Sequence, residues 1–233
     1  MNFLWQTMAA RLLEFKKILG PNFKRILILD RDQPAAQTWW AEAGGFSCDA
    51  LTIQTVNDFN QLKDQDVYDL ILWTLPPIHL IQEPIAKAVW SKLRMHCNGF
   101  MIFVTPGPMS IPVLNRVLGS NVPNVVSDFH DIGDQLAATG WQRPMLQGQS
   151  LPIQYHKRVT VLEDWLAFGE IASHPLLTVK LIPDHDLLQT SLDAPVVFDI
   201  TVGLVYNGPN RTVQQQFDDG SIAIPVNQIK KRN

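Results

Sequence analysis

Three runs of apolar residues constrain this chain more than any other feature. They are residues 25–30 (RILILD), 68–73 (YDLILW) and 100–105 (FMIFVT). A strand with one wet face alternates polar and apolar residues. A strand covered on both faces reads as a continuous apolar run, the pattern of a buried parallel sheet. Between these runs the period changes to that of helices. Pro34 stands where a helix can start, with Asp32 or Gln33 near its cap, and residues 35–43 run on to Gly44-Gly45. Residues 47–53 read as another strand, 56–62 as a short helix and 85–95 as a longer one, with Asn98-Gly99 as a turn before the third apolar run. This alternation predicts an α/β fold, a parallel sheet with helices on both faces.

Ahead of the first run, Leu4, Met8, Leu12, Phe15 and Leu19 recur at helical spacing and stop at Gly20-Pro21. Lys16 and Lys17 suit the negative end of that helix. The second half has a different grammar: helices over 127–139 and 159–168, a strand around 149–155, and strand-like segments at 196–206 and 222–226. Asn207-Gly208-Pro209 is a turn signal between the last two. No linker of biased composition and no repeat divides the chain. The expectation is one domain over 1–233, a mostly parallel half (1–122) and a C-terminal half (123–233) that adds antiparallel strands at one edge.

Composition excludes several classes. With 46% hydrophobic and 18% charged residues in 233, the chain has enough apolar content for a sizeable core and is not disordered. The net charge of −3 comes with scattered Lys and Arg. The one basic cluster, Lys230-Lys231-Arg232, reads as a solvated end rather than a nucleic-acid footprint. Cys48 and Cys97 are far apart and outside metal-ligand spacing; one disulfide is possible in principle, and two reduced thiols are the better reading. The start, Met1-Asn2-Phe3-Leu4-Trp5, has no basic region, and Gln6, Arg11 and Glu14 interrupt its apolar run. It predicts neither signal peptide nor membrane span, and the cytoplasm is the expected address.

Two resemblances follow from particular residues. The segment from Ile26 to Asp32, with Tyr68 to Leu72 and Leu75-Pro76-Pro77, resembles a receiver domain of response regulators. That family phosphorylates an aspartate where this chain has Trp73-Thr74, which makes the likeness a weaker alternative. The longer resemblance runs from about Tyr68 onward. Tyr68-Asp69-Leu70-Ile71-Leu72, the segment from Asn98 to Pro108 (NGFMIFVTPGP), Phe129-His130-Asp131-Ile132-Gly133-Asp134, Gly140-Trp141-Gln142-Arg143-Pro144 and the segment from Asp219 to Val226 are similar, in order, to the BioC-type malonyl-acyl-carrier-protein O-methyltransferases of the biotin pathway. This implies a Rossmann-like class I methyltransferase fold, S-adenosylmethionine as cofactor and an acyl-carrier protein as partner.

The departures lie in the first third. Such enzymes carry a glycine-rich turn after the first strand, where the backbone must approach the cofactor's carboxylate with no Cβ in the way. Here Asp30-Arg31-Asp32-Gln33-Pro34 fills that place, with no glycine until Gly44. Two carboxylates would face a third. Only one strand fits between Asp30 and Tyr68, so the fold is expected to be shortened by one strand-helix unit, the family's unit whose acidic end holds the cofactor's ribose. The family's tyrosine-glycine-histidine segment near the end becomes Tyr206-Asn207-Gly208-Pro209-Asn210, without the histidine.

Candidate sites each carry a plainer reading. Asp30 and Asp32, beyond a strand's carboxyl end, could bind a cofactor, a cation or a ligand hydroxyl; solvated helix-start acids are the simpler account. His130-Asp131 suggests metal or acid-base work, yet Asp128 can cap that helix and no second ligand stands at metal spacing. Thr74 and His79, in the loop after YDLILW, are further ligand or partner candidates, His79 reading equally as a loop residue. Asp184-His185-Asp186 reads as a turn. Trp39 and Trp40 lie about 100° apart on a helix, so one can pack on the sheet while the other meets a neighbouring element, a partner or an apolar pocket. No nucleophile elbow, Walker loop or CxxC motif is present. The expectation is a catalytically degenerate methyltransferase homologue, without cofactor, that binds a partner protein, an acyl chain or a small ligand. The alternative is an active S-adenosylmethionine-dependent O-methyltransferase of malonyl-acyl-carrier protein in biotin synthesis.

Overall fold

The computed structural model describes residues 3–20, 23–30, 33–45, 47–53, 55–120, 124, 126–167, 185–208, 215–216 and 222–223. The apolar runs form the middle of a six-stranded sheet. In chain order its strands are β1 (Ile26–Asp30), β2 (Asp49–Thr52), β3 (Tyr68–Thr74), β4 (Cys97–Pro106), β5 (Gln142–Ile153) and β6 (Val196–Asn207). Their spatial order is β2-β1-β3-β4-β6-β5. The first four run parallel; β6 pairs antiparallel with β4, and β5 antiparallel with β6 at the edge. This is the Rossmann-like α/β arrangement expected, with its antiparallel edge. Between Asp30 and Tyr68 there is one strand and one α-helix, the predicted shortening.

Helices cover both faces. Helices α1 (Phe3–Leu19), α2 (Gln33–Gly44), α4 (Ser110–Leu118) and α6 (Arg158–Ala167) contribute to one core with Ile26, Ile28, Leu70, Leu72, Ile102 and Val104. Helices α3 (Ala86–Met95) and α5 (Phe129–Ala138) contribute to the other, with Leu27, Leu29, Ile71, Trp73, Met101 and Phe103. Alternate residues of each strand thus enter opposite cores, which is why the strands read as continuous apolar runs. Phe103 faces Gly203 across the β4–β6 ladder, and its ring occupies the space that a Cβ on that glycine would need.

Several expectations are corrected. The short helix read over 56–62 is a 3-10 helix (Val56–Gln61). Asn98-Gly99 lies inside β4, not in a turn, at an irregularity where Tyr68 and Leu70 pair with Cys97 and Phe100. Gly99 is required there, because a Cβ would meet the Asp69 carbonyl oxygen. Helix α4 has no counterpart in the reading of the sequence. Strand β5 begins at Gln142, well before the expected 149. Residues 185–188 form a short helix α7 (His185–Leu188) where a turn was expected; Asp184 lies outside the described residues. Strands β7 (Gln215–Gln216) and β8 (Ile222–Ala223) make a separate two-stranded pair and do not join the main sheet.

Candidate functional site

In an open parallel sheet, ligands bind beyond the carboxyl ends of the strands. Here that edge is built from the ends of β1, β3 and β4. Asp30 closes β1 and is only 5% exposed. Its carboxylate accepts a hydrogen bond from Trp5 Nε1 at 2.7 Å, from the first turn of α1. Thr74, at the end of β3 and 2% exposed, keeps its Oγ1 buried without a hydrogen-bond partner among the described residues. Leu75 then turns the chain with a left-handed φ of 55°, rare for a residue with a branched side chain, into the buried Pro76-Pro77. At the end of β4, Thr105 is fully buried and its hydroxyl also lacks a partner.

The surroundings of this edge come from residues that sequence reasoning did not single out. Asp199 of β6 accepts from the amide of Met109 at 3.2 Å, and its carbonyl oxygen accepts from the Gly107 amide at 2.7 Å and from the Ser110 hydroxyl. Helix α1 has no acid in its own first turn. The Leu4 amide instead donates to Asp164 of α6, which also accepts from the Tyr155 hydroxyl at 2.8 Å. Burial raises the Asp164 pKa, while those two donors pull it back; burial and the Asp164 charge push the Tyr155 hydroxyl up. Partners 25 and more residues apart leave no mark in local spacing, so no motif could have announced Trp5–Asp30.

The two tryptophans divide as helical geometry requires. Trp40 is wholly buried, and Trp39 is half-buried, edge-on to Trp5 at 5.3 Å and to Trp40 at 5.0 Å between ring centroids. His79 sits half-buried in a short 3-10 turn (Ile78–Leu80). His130 lies elsewhere, on the α5 side of the sheet and 76% exposed at its side chain. Asp128 caps α5, accepting from the His130 amide at 2.7 Å and the Asp131 amide at 3.0 Å. Those amide donors hold the Asp128 carboxyl below its usual range. Asp131 and Asp134 line an open cleft of about 440 Å³ with Glu83, Lys87 and Gln135. The structure therefore brings Asp30, Thr74 and Trp39 to one region and leaves His130 apart. Asp32 lies outside the described residues. Among the described residues no three His, Cys, Asp or Glu side chains come together as a metal site. Cys48 and Cys97 are free thiols, and burial pushes Cys97 up to about 12. No helix among the described residues is long and apolar enough to cross a membrane.

The cofactor implied by the resemblance can be tested against this edge. Its methionine carboxylate needs free backbone N–H groups beyond the strand end. Strand β1 ends instead in a buried carboxylate already bonded to Trp5, and α2 begins three residues later with no glycine between. Strand β2 ends in Thr52, which pairs with Asp30 and carries no acid of its own for a ribose; the next acid along the chain, Asp58, accepts from the Thr55 amide. The end of β1 therefore lacks the glycine turn that would bring free backbone N–H groups to that carboxylate.

No protein-family model matches the chain. It is 26% identical over 163 residues to a malonyl-[acyl-carrier protein] O-methyltransferase of Nitrosospira multiformis, covering 57% of this chain and 53% of that protein. A protein of the same name from Halorhodospira halophila is 24% identical over 150 residues, covering 58% and 50%. The chain thus spans about half the length of the curated relatives it matches. In three dimensions it is similar to a SAM-dependent methyltransferase of Archaeoglobus fulgidus, with a TM-score of 0.51 at 9% identity over 87% of this chain and 94% of that one. The chain is thus similar in sequence to malonyl-[acyl-carrier protein] O-methyltransferases over about half their length, and it has the class I methyltransferase fold.

Proposed function

We propose that this chain is a binding member of that lineage: it keeps the methyltransferase scaffold and holds an acyl-carrier protein, an acyl chain or a small ligand without turning over S-adenosylmethionine. The observation that carries this reading is the buried Trp5–Asp30 hydrogen bond at the end of β1, where a glycine turn would cradle the cofactor. A hydrogen bond to a charged group contributes about 1.5–3 kcal/mol, so the loss of two weakens binding by roughly 10²–10⁴-fold. The acyl-carrier protein enters as the partner in the relatives' name.

A second reading rests on that same name: an active O-methyltransferase acting on the malonyl thioester of acyl-carrier protein. One assay separates the two. Purified protein is incubated with malonyl-acyl-carrier protein and methyl-labelled S-adenosylmethionine, and binding of the carrier protein is measured in parallel. The binding reading expects retention of the carrier protein or its acyl group with no labelled ester. Labelled methyl ester formed in multiple turnovers establishes the enzyme instead.

A further inference from the structure

Asp30 and Thr74 follow the paired Leu29 and Trp73 of neighbouring strands, so they stand side by side at the carboxyl edge. Strand alternation directs both toward the α1 side of the sheet. Asp30 is 5% exposed, Trp5 7% and Thr74 2%. A buried carboxylate needs donors to replace water. One of them is the indole N–H of Trp5, delivered at 2.7 Å by a helix that precedes the sheet in the chain. Beside it the Thr74 hydroxyl is buried and has no hydrogen-bond partner among the described residues, and Trp39 supplies an aromatic wall, edge-on to the Trp5 ring. Around the Trp5 ring this arrangement joins an aromatic neighbour, one charged acceptor and one buried hydroxyl, the groups a ligand site uses.

We propose that Trp5 is the built-in occupant of a binding site formed by Asp30, Thr74 and Trp39, and that the site is shaped for a flat aromatic ring carrying an N–H donor. The chain's own indole fills it, so α1 closes the ligand edge on this side of the sheet. This rests on the reading that S-adenosylmethionine does not use that edge.

The test is chemical rescue. Trp5→Ala removes the ring, and its thermal midpoint is expected about 6–20 °C below wild type. Millimolar indole should raise that midpoint by several degrees and leave wild type unmoved, because only the variant has an empty slot. Indene, with nearly the same shape and no N–H, should rescue less. No response to indole, equal rescue by indene, or an equal response of wild type overturns the assignment. Where Trp5→Ala fails to fold, a double-mutant cycle of Trp5→Phe with Asp30→Ala decides. The phenylalanine should lower the midpoint when Asp30 is intact, and lower it less when Asp30→Ala is already present. Equal losses in both overturn it. Micromolar S-adenosylmethionine binding by wild type would sink the proposed function separately, with the rescue result still deciding the place of Trp5.

Discussion

At the scale of single residues, the molecule places acids where they complete other elements. Asp164 serves the start of α1 through the Leu4 amide and receives the Tyr155 hydroxyl. Tyr155→Phe removes one donor from this buried carboxylate and is expected to cost about 1–3 kcal/mol at neutral pH. The sign with pH follows from linkage. Burial raises the folded-state pKa of Asp164, so this group's contribution is greatest at low pH and falls as pH rises from the ordinary carboxylate range through the raised value. The lost hydroxyl raises it further, so denaturant melts should show a variant deficit larger at pH 8 than at pH 4. Gly203 is a second residue-scale test. Its missing Cβ leaves room for the Phe103 ring, and Gly203→Ala should destabilise by about 1–3 kcal/mol through overpacking, measured the same way. Neither was legible beforehand: Asp164 and Tyr155 lie in ordinary local sequence, and the role of Gly203 depends on a partner 100 residues away in the chain.

Among elements, the strands covered on both faces were legible, as was the edge strand β2, whereas the edge strand β5 was read only over its C-terminal part. Strands β1, β3 and β4 announce themselves because both faces are covered, so their central side chains are apolar. Strand β5 is the outermost strand, and residues 142–150 are mostly half-buried or exposed, rich in glutamine with no apolar run to read. Helix α4 carries Pro112 in its first turn, where proline is tolerated but reads as a loop signal. Helix α5 was readable through its cap, and the cap has a measurable consequence. The Asp131 amide, and then the His130 amide, hold Asp128 below its usual pKa. That contribution is present above the ordinary carboxylate range and is lost as pH falls through the depressed value. Asp128→Ala should lower the thermal midpoint by about 2–4 °C at pH 7, with the difference narrowing below about pH 4. Asp128→Asn should keep most of the cap. His130→Ala should leave any binding activity within a few-fold, since its ring is exposed and stacks on the neighbouring Phe129.

For the whole molecule, one sheet joins the two halves of the sequence. Strand β4 from the first half pairs with β6 from the second over eight residue positions, Gly99–Pro106 against Ile200–Asn207. We expect calorimetric and van't Hoff enthalpies of thermal unfolding to agree, as for one cooperative unit. The fold was legible because buried strands alternating with helices are properties of the pattern, while the spatial order of the strands was read only from the structure. The site was legible only in part. Asp30 could be placed at the ligand edge from its position after an apolar run, whereas its bond to Trp5 exists only once α1 folds over the sheet. That bond makes the cofactor edge the decisive place to measure. Isothermal titration of the wild-type protein with S-adenosylmethionine, up to sub-millimolar concentration, tests the central claim most directly. The account predicts no detectable heat of binding; a micromolar dissociation constant, abolished by a substitution at Asp30, would contradict it.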